Sequence, residues 1–250
     1  MQNELVLLSI GFLAGTTGSM LGIGGGFIIV PLLVLISGLE MHLAVATSLV
    51  SIVMTSIASA SVYSNEGLID FKLGLLLSIF TTIGAIIGAY LAIHISENAL
   101  KVIFGVVLTY ASLRMLKGKF HKKEEGKRRF YLGPPLSFLA GMASGMLGIG
   151  GGTLKVPLMV LALKVPTKIA IATSAFMIGI TASSGALVYW SLNMLDPHLV
   201  APIALGIFLG SKLGTRIGLK AGEDILRRVF GALLLFFALR MLLRGLGVNV

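Results

Sequence analysis

The chain has 250 residues, is 56% hydrophobic and only 12% charged, with a mean hydropathy of +0.99. Soluble domains carry about 25% charged residues, so a water-soluble fold is excluded. The net charge of +10 does not point to nucleic acid either, because the basic residues gather in one short polar segment between apolar blocks, "KGKFHKKEEGKRRF" at 117–130, and no nucleic-acid-binding motif accompanies them.

In chain order, the opening "MQNELVLLSI" lacks the basic region of a cleaved signal peptide, so the first apolar segment is expected to stay in the mature protein. Apolar segments then cover 5–18, 25–37, 42–63, 71–93 and 98–116. The last three are long enough to cross a bilayer core roughly 30 Å thick. The first two hold about 13 residues each and reach roughly 20 Å as helices, short of a crossing. A glycine run separates them. After the 117–130 linker the same pattern returns.

The return has one constant offset of 126 residues, without a gap. "FLAG" at 12–15 recurs at 138–141, and "MLGIGGG" at 20–26 recurs at 146–152. Pro31 matches Pro157, "ATS" at 46–48 matches 172–174, Tyr63 matches Tyr189, and Asp70 matches Asp196. "LRML" at 113–116 matches 239–242. Shared hydrophobic composition would not align proline, aspartate and arginine at one spacing, so the chain is read as an internal duplication. Residues 1–116 form membrane repeat 1, 117–130 a basic linker, and 131–250 membrane repeat 2.

Two topologies follow for an all-α polytopic membrane protein. If 5–37 is one broken crossing, each repeat has four crossings and the repeats are parallel. If it is a re-entrant hairpin followed by three transmembrane helices, the repeats are inverted. With the linker placed inside, the inverted arrangement puts Lys164, Lys168, Lys220, Arg227 and Arg228 inside, and only Lys101, Arg240 and Arg244 break the positive-inside rule. The parallel arrangement exports the first five. The inverted arrangement is therefore expected, with a cytoplasmic linker and both termini outside.

Glycine costs roughly 1 kcal/mol against alanine in a helix interior, and proline leaves a carbonyl unpaired. Broken helices survive in a membrane only inside protein or beside a water-filled cavity. Two breaks at equivalent positions imply one enclosed central site. A half-helix beginning near Gly25 or Gly151 offers N–H groups and the positive end of its dipole, which suit a small anion. The candidate substrate-binding residues are Gly22, Gly24, Gly25 and Gly26 with Gly148, Gly150, Gly151 and Gly152. Thr47, Ser48, Thr173 and Ser174 could complete the site or could bond backbone. The spaced glycines Gly206, Gly210, Gly214 and Gly218 are read as a packing ridge instead.

The acidic residues all fall at segment ends or in loops, which disfavours a cation substrate and carboxylate-based coupling. Asp70 and Asp196 are read as helix N-terminal residues, and Tyr63 and Tyr189 as members of an interfacial aromatic belt. The histidines show no metal-ligand spacing, cysteine is absent, and no nucleotide-binding motif is present, so neither metal nor cofactor is called for. Lys155 stands apart. It lies three residues beyond the second glycine run, where the first repeat has Ile29. An ammonium deep in a bilayer costs on the order of 2.5–3.5 kcal/mol, and no intramembrane acid is available as its partner. Lys155 is expected to contact the substrate anion; the alternative is a lysine held by water and carbonyls at the cytoplasmic mouth.

These residues carry a resemblance. The duplicated "GMLGIGGG" pattern, with proline five residues later and "ATS" about twenty beyond, resembles the TauE/SafE sulfite exporter family, also called the TSUP family, over nearly the whole chain. The resemblance implies movement of small sulfur-containing or carboxylate anions, such as sulfite, thiosulfate or sulfoacetate, across the cytoplasmic membrane. A secondary transporter working by alternating access is expected. The competing readings are an anion channel built on the same breaks and a membrane-embedded enzyme, for which no catalytic constellation is recognisable. The partners called for are a small anion and the lipid bilayer; the oligomeric state is left open.

Overall fold

A computed structural model of the chain describes residues 4–117, 130–220 and 223–248. Most of the linker, with Glu124 and Glu125, lies outside the described residues, as does Asn249. The described chain is helical. In order come α1 (Glu4–Met20), α2 (Gly26–Leu35), α3 (Met41–Asn65), α4 (Phe71–Ala92) and α5 (Glu97–Lys117), a single 3₁₀ turn at Phe130–Leu132, then α6 (Gly133–Leu147) and α7 (Gly152–Pro157). A π-turn over Leu158–Ala162 follows α7, and α8 (Thr167–Ser191), α9 (Pro197–Lys220) and α10 (Glu223–Gly245) complete the chain. The expected segments and the observed helices agree to within a few residues. The second half-helix of the second half is the exception: Pro157 cannot donate to the helical ladder, and the expected single segment divides into α7 and the π-turn.

Helices α3, α4, α5, α8 and α9 are each long and apolar enough to cross a membrane. The sixth long helix, α10, has 23 residues. Lipid-facing surface is evident on α4, where Leu75, Leu76, Ile79, Ile83, Ile86 and Ile87 are all exposed. The protein is a multi-pass, all-α membrane protein.

Small residues set the packing. Cβ atoms on Gly11 and Gly15 of α1 would lie 2.2 and 2.5 Å from the carbonyls of Ile203 and Ile207 of α9. Gly206, Gly210 and Gly214 return the contact against Leu8, Phe12 and Thr16, so the 206–218 ridge packs as expected. The same contact forms between α4 and α6, at residues 126 positions away. Gly84 meets Phe138, Gly88 meets Met142, and Gly141 meets Thr81. Thus each half sends its first helix against the fourth helix of the other half, in parallel.

Helices α3 and α8, and α5 and α10, run antiparallel. Ser56 of α3 donates to the Phe176 carbonyl of α8 at 3.2 Å, and Gly185 faces Leu49. In α5 and α10, Gly105 faces Leu242, Gly231 faces Leu116, and Gly245 faces Asn98. The three cations that break the positive-inside rule each find local company. Lys101 pairs with Glu97 at 2.8 Å, Arg240 lies over the Phe236 ring, and Arg244 donates to the Val34 carbonyl.

Asp70 and Asp196 begin helices as expected. Asp70 Oδ1 accepts from the Leu73 N–H at 3.0 Å, and Asp196 Oδ1 from the His198 N–H at 2.9 Å. Tyr63 and Tyr189 overturn the belt reading. Both are buried, and their hydroxyls donate at 3.2 Å to the Ser19 and Gly145 carbonyls, near the ends of α1 and α6. A buried phenol needs a hydrogen-bond partner, and a carbonyl at a helix end supplies one to each.

Candidate functional site

The glycine runs turn the chain back on itself. Gly22, Gly24 and Gly25 have φ of +66°, +90° and +85°, and Gly148, Gly150 and Gly151 have +71°, +71° and +72°. Side chains are strained in that left-handed region. Each run therefore reverses direction in a few residues. Gly25 comes to lie against the Ala14 carbonyl, and Gly151 against the Ala140 carbonyl.

The two runs then meet. A Cβ on Gly26 would sit 2.1 Å from the Gly148 carbonyl oxygen, and one on Gly152 would sit 2.5 Å from that of Gly22. Ser48 Oγ donates to the Gly148 carbonyl at 2.7 Å, and Ser174 Oγ to the Gly22 carbonyl at 3.1 Å. All eight predicted glycines are buried here, and four of them, Gly22, Gly26, Gly148 and Gly152, touch across the crossing. Ser48 and Ser174 are its struts. Thr173 Oγ1 instead accepts from the Asp70 N–H at 3.0 Å, tying α8 to the start of α4. Thr47 is buried, and its hydroxyl has no partner among the described residues.

Beside the crossing lies a cavity of about 680 Å³, within the range of small-molecule sites. Ile23 and Thr153 of the crossing reach its wall, together with Leu154, Val156 and Pro157 of α7. The side nearer the linker is framed by the ends of α3, α5 and α9 and the start of α8. Arg114, Lys168 and Lys220 line it there, and no acidic residue does so among the described residues. Arg114 is steadied by Tyr110, whose hydroxyl lies 3.2 Å from Nε. These rim cations were not singled out from the sequence as site residues. Their positions at segment ends were legible, but their convergence on one cavity was not.

Lys155 takes a different place. It is fully buried on the far side of α7 from the cavity, and its ammonium donates to Thr181 Oγ1 at 2.7 Å and to the Gly150 carbonyl at 3.2 Å. The mouth position considered as an alternative is therefore not the one it occupies. Thr181 also shares a 2.9 Å hydrogen bond with Thr81 of α4. No cluster of His, Cys, Asp or Glu able to hold a metal is found among the described residues.

Comparison with known proteins places this architecture. Residues 7–241 match the family model described as sulfite exporter TauE/SafE. A probable membrane transporter protein of Bacillus subtilis, YunE, is 30% identical over 97% of this chain and 98% of its own length. A probable membrane transporter protein of Methanocaldococcus jannaschii is 31% identical over 95% of each chain. An Arabidopsis thaliana protein named as sulfite exporter TauE/SafE family protein 5 is 39% identical over 88 residues, 35% of this chain. No solved structure matches. A glycine-broken, duplicated helical membrane chain that matches one family model almost from end to end belongs to the TauE/SafE sulfite exporter family of membrane transporters.

Proposed function

We propose that the protein is a secondary transporter that moves a small sulfur-containing anion (sulfite, thiosulfate, sulfoacetate or a similar organosulfonate) across the cytoplasmic membrane by alternating access. The observation that carries this reading is the cavity: three cations and, among the described residues, no acid line it, and it ends at the crossed glycine runs. The rim cations attract the anion and exclude cations. Substrate contact on this reading falls to residues 22–26 and 148–152 with Thr47, Ser48, Thr173, Ser174 and Lys155, of which Ile23 reaches the cavity wall and the others stand behind it. The crossing supplies backbone that changes conformation without side-chain clashes. The work is transport, and no bond-making step is assigned to the chain.

Residues 1–116 and 131–250 act as two repeats of opposite orientation, with the 117–130 linker cytoplasmic and both termini outside. Support comes from the antiparallel run of helices 126 positions apart, α3 with α8 and α5 with α10. Equivalent helices run antiparallel when the two-fold axis lies across them, which is the geometry of inverted repeats. One repeat would rock against the other around the crossing.

Uptake of labelled sulfite, thiosulfate and sulfoacetate into proteoliposomes, beside a cation control, tests the transport reading. Saturating anion flux with trans-stimulation is expected. Cation flux without anion flux would sink it, and ohmic single-channel currents would make the protein a channel. Orientation is tested with single cysteines, introduced on a background that has none. Asn249→Cys should react with an impermeant maleimide on intact cells, and Glu125→Cys should not. Labelling of Glu125→Cys from outside reverses the orientation; protection of both sites defeats the inverted arrangement.

A further inference from the structure

Lys155, Thr81, Thr181 and Ser144 come from four separate elements, α7, α4, α8 and α6, and all four are fully buried. A Cβ built on Gly151 would lie 3.1 Å from Lys155 Cε and 3.3 Å from Ser144 Cβ, so the serine stands beside the lysine stem. The Ser144 hydroxyl is buried and has no partner among the described residues. The ammonium has two neutral acceptors, Thr181 Oγ1 and the Gly150 carbonyl, and no carboxylate among the described residues pairs with it. A buried charge without a counter-charge is costly.

The architecture does not require this cluster. The positions 126 residues away are Ile29, Ile207, Thr55 and Gly18. There Thr55 Oγ1 bonds the Gly24 carbonyl directly at 3.1 Å, and Ile29 and Ile207 are fully buried. One side holds its glycine turn with a neutral hydroxyl and seals the rest with isoleucine. The other inserts a cation, two bonded threonines and a spare serine hydroxyl in the same setting. Packing explains the first and leaves the second without a reason.

We propose that Lys155, Thr81, Thr181 and Ser144 form an inner, occluded subsite for an oxyanion, separated from the basic cavity by α7 alone. This deepens the transport reading and rests on it for the identity of the anion. The ammonium supplies the counter-charge and the Ser144 hydroxyl a free donor to the sulfonate or sulfite oxygens; Thr181 and Thr81, whose own protons go to the Met177 and Ser78 carbonyls, hold the ammonium in place. The partition suits passage between the two compartments. Thr153, Leu154, Val156 and Pro157 face the cavity while Lys155 faces the cluster, and α7 has only six residues before the π-turn. Such a short, irregularly bonded segment is the part of the wall best able to turn. The anion then meets the rim cations first and Lys155 second.

Thermal unfolding of the purified protein in sulfate, thiosulfate or sulfoacetate, against chloride at equal ionic strength, tests the subsite without relying on transport. A ligand bound only by the folded state raises Tm. The wild type should show that rise with at least one of the three anions. Lys155→Met keeps the stem and removes an unpaired buried charge, so it should fold, keep or raise Tm in chloride, and lose the anion-dependent rise. Ser144→Ala, which touches no cavity wall, should fold normally and weaken apparent affinity by roughly ten-fold, as expected for one hydrogen bond to a charged ligand. A wild type indifferent to all three anions would overturn the subsite. So would a Lys155→Met protein that keeps its anion response while losing stability in chloride, since the lysine would then be a brace. Anion uptake unaffected by both variants defeats the subsite and leaves the transporter standing. A Lys155-dependent rise in Tm without uptake by the wild type keeps the subsite and defeats the transporter.

Discussion

The α1–α9 contact and the α4–α6 contact occupy equivalent places in the molecule, yet they treat buried hydroxyls differently. On the α1–α9 side, Ser211 donates to the Gly15 carbonyl at 3.3 Å, Thr215 donates to Ser59 at 3.1 Å, and Ser19 donates to the Thr16 carbonyl. These hydroxyls close on the protein itself. On the α4–α6 side, Ser78, Ser137 and Ser144 are buried without partners among the described residues. Their counterparts on the first side are Ala204, Gly11 and Gly18. Identical backbone packing thus carries a finished polar lining in one place and an unfinished one in the other. Unsatisfied buried hydroxyls cost about 1–3 kcal/mol each, so the unfinished side is where a ligand would be stabilising.

The strongest way to break the comparison is to attack what the two sides share. Gly26→Ala and Gly152→Ala each drive a methyl group into backbone of the opposing run, which cannot step aside as a side-chain tip would. Both should lose folded protein, by more than about 4 kcal/mol, in yield and thermal unfolding after solubilisation. A tolerated substitution on either side would mean that the crossing opens more easily than its contacts indicate. Next in size is Ile29→Lys, which places the second side's cation in the first side's apolar setting. With Ile207 and Gly18 for neighbours in place of Thr81 and Ser144, it should destabilise by about 3 kcal/mol. An unchanged Tm would remove the contrast between the sides. The gentlest test sharpens the symmetry. Ser48→Ala and Ser174→Ala each strip one donor from a crossing carbonyl and should each cost about 1–2 kcal/mol. Equal losses in urea unfolding identify matched struts, whereas a loss on one side only would show that the crossing is held asymmetrically.

Much of this was legible in the sequence, for physical reasons that can be named. The helix bounds follow from charge and glycine placement, since a membrane segment tolerates few charges and a reversal tolerates few residues other than glycine. The constant offset predicted that the two breaks would share one centre, and there Gly26 meets Gly148 and Gly152 meets Gly22. The oddity of Lys155 was visible against Ile29. Its surroundings were not, because Thr81 and Ser144 come from helices whose contact depends on each half packing against the other. Comparing 81 with 207 and 144 with 18 would have raised the suspicion, since three of four positions lose polarity together. Tyr63 and Tyr189 were misread for a related reason. A tyrosine near a helix end looks interfacial until a neighbouring chain end arrives to accept its hydroxyl.

The exchange of first helices between halves has a consequence for how the protein is made. Helix α1 is made long before α9, yet the carbonyls that receive its glycines belong to Ile203 and Ile207 of α9, nearly 200 residues later. Until α9 is inserted, α1 must wait in the membrane with its close-packing face uncovered, and α6 finds its partner α4 already in place. The maturation of the first half is therefore gated by the second. Halves expressed separately should be short-lived in the cell and should rescue each other when co-expressed, as contacts so distant in sequence form late.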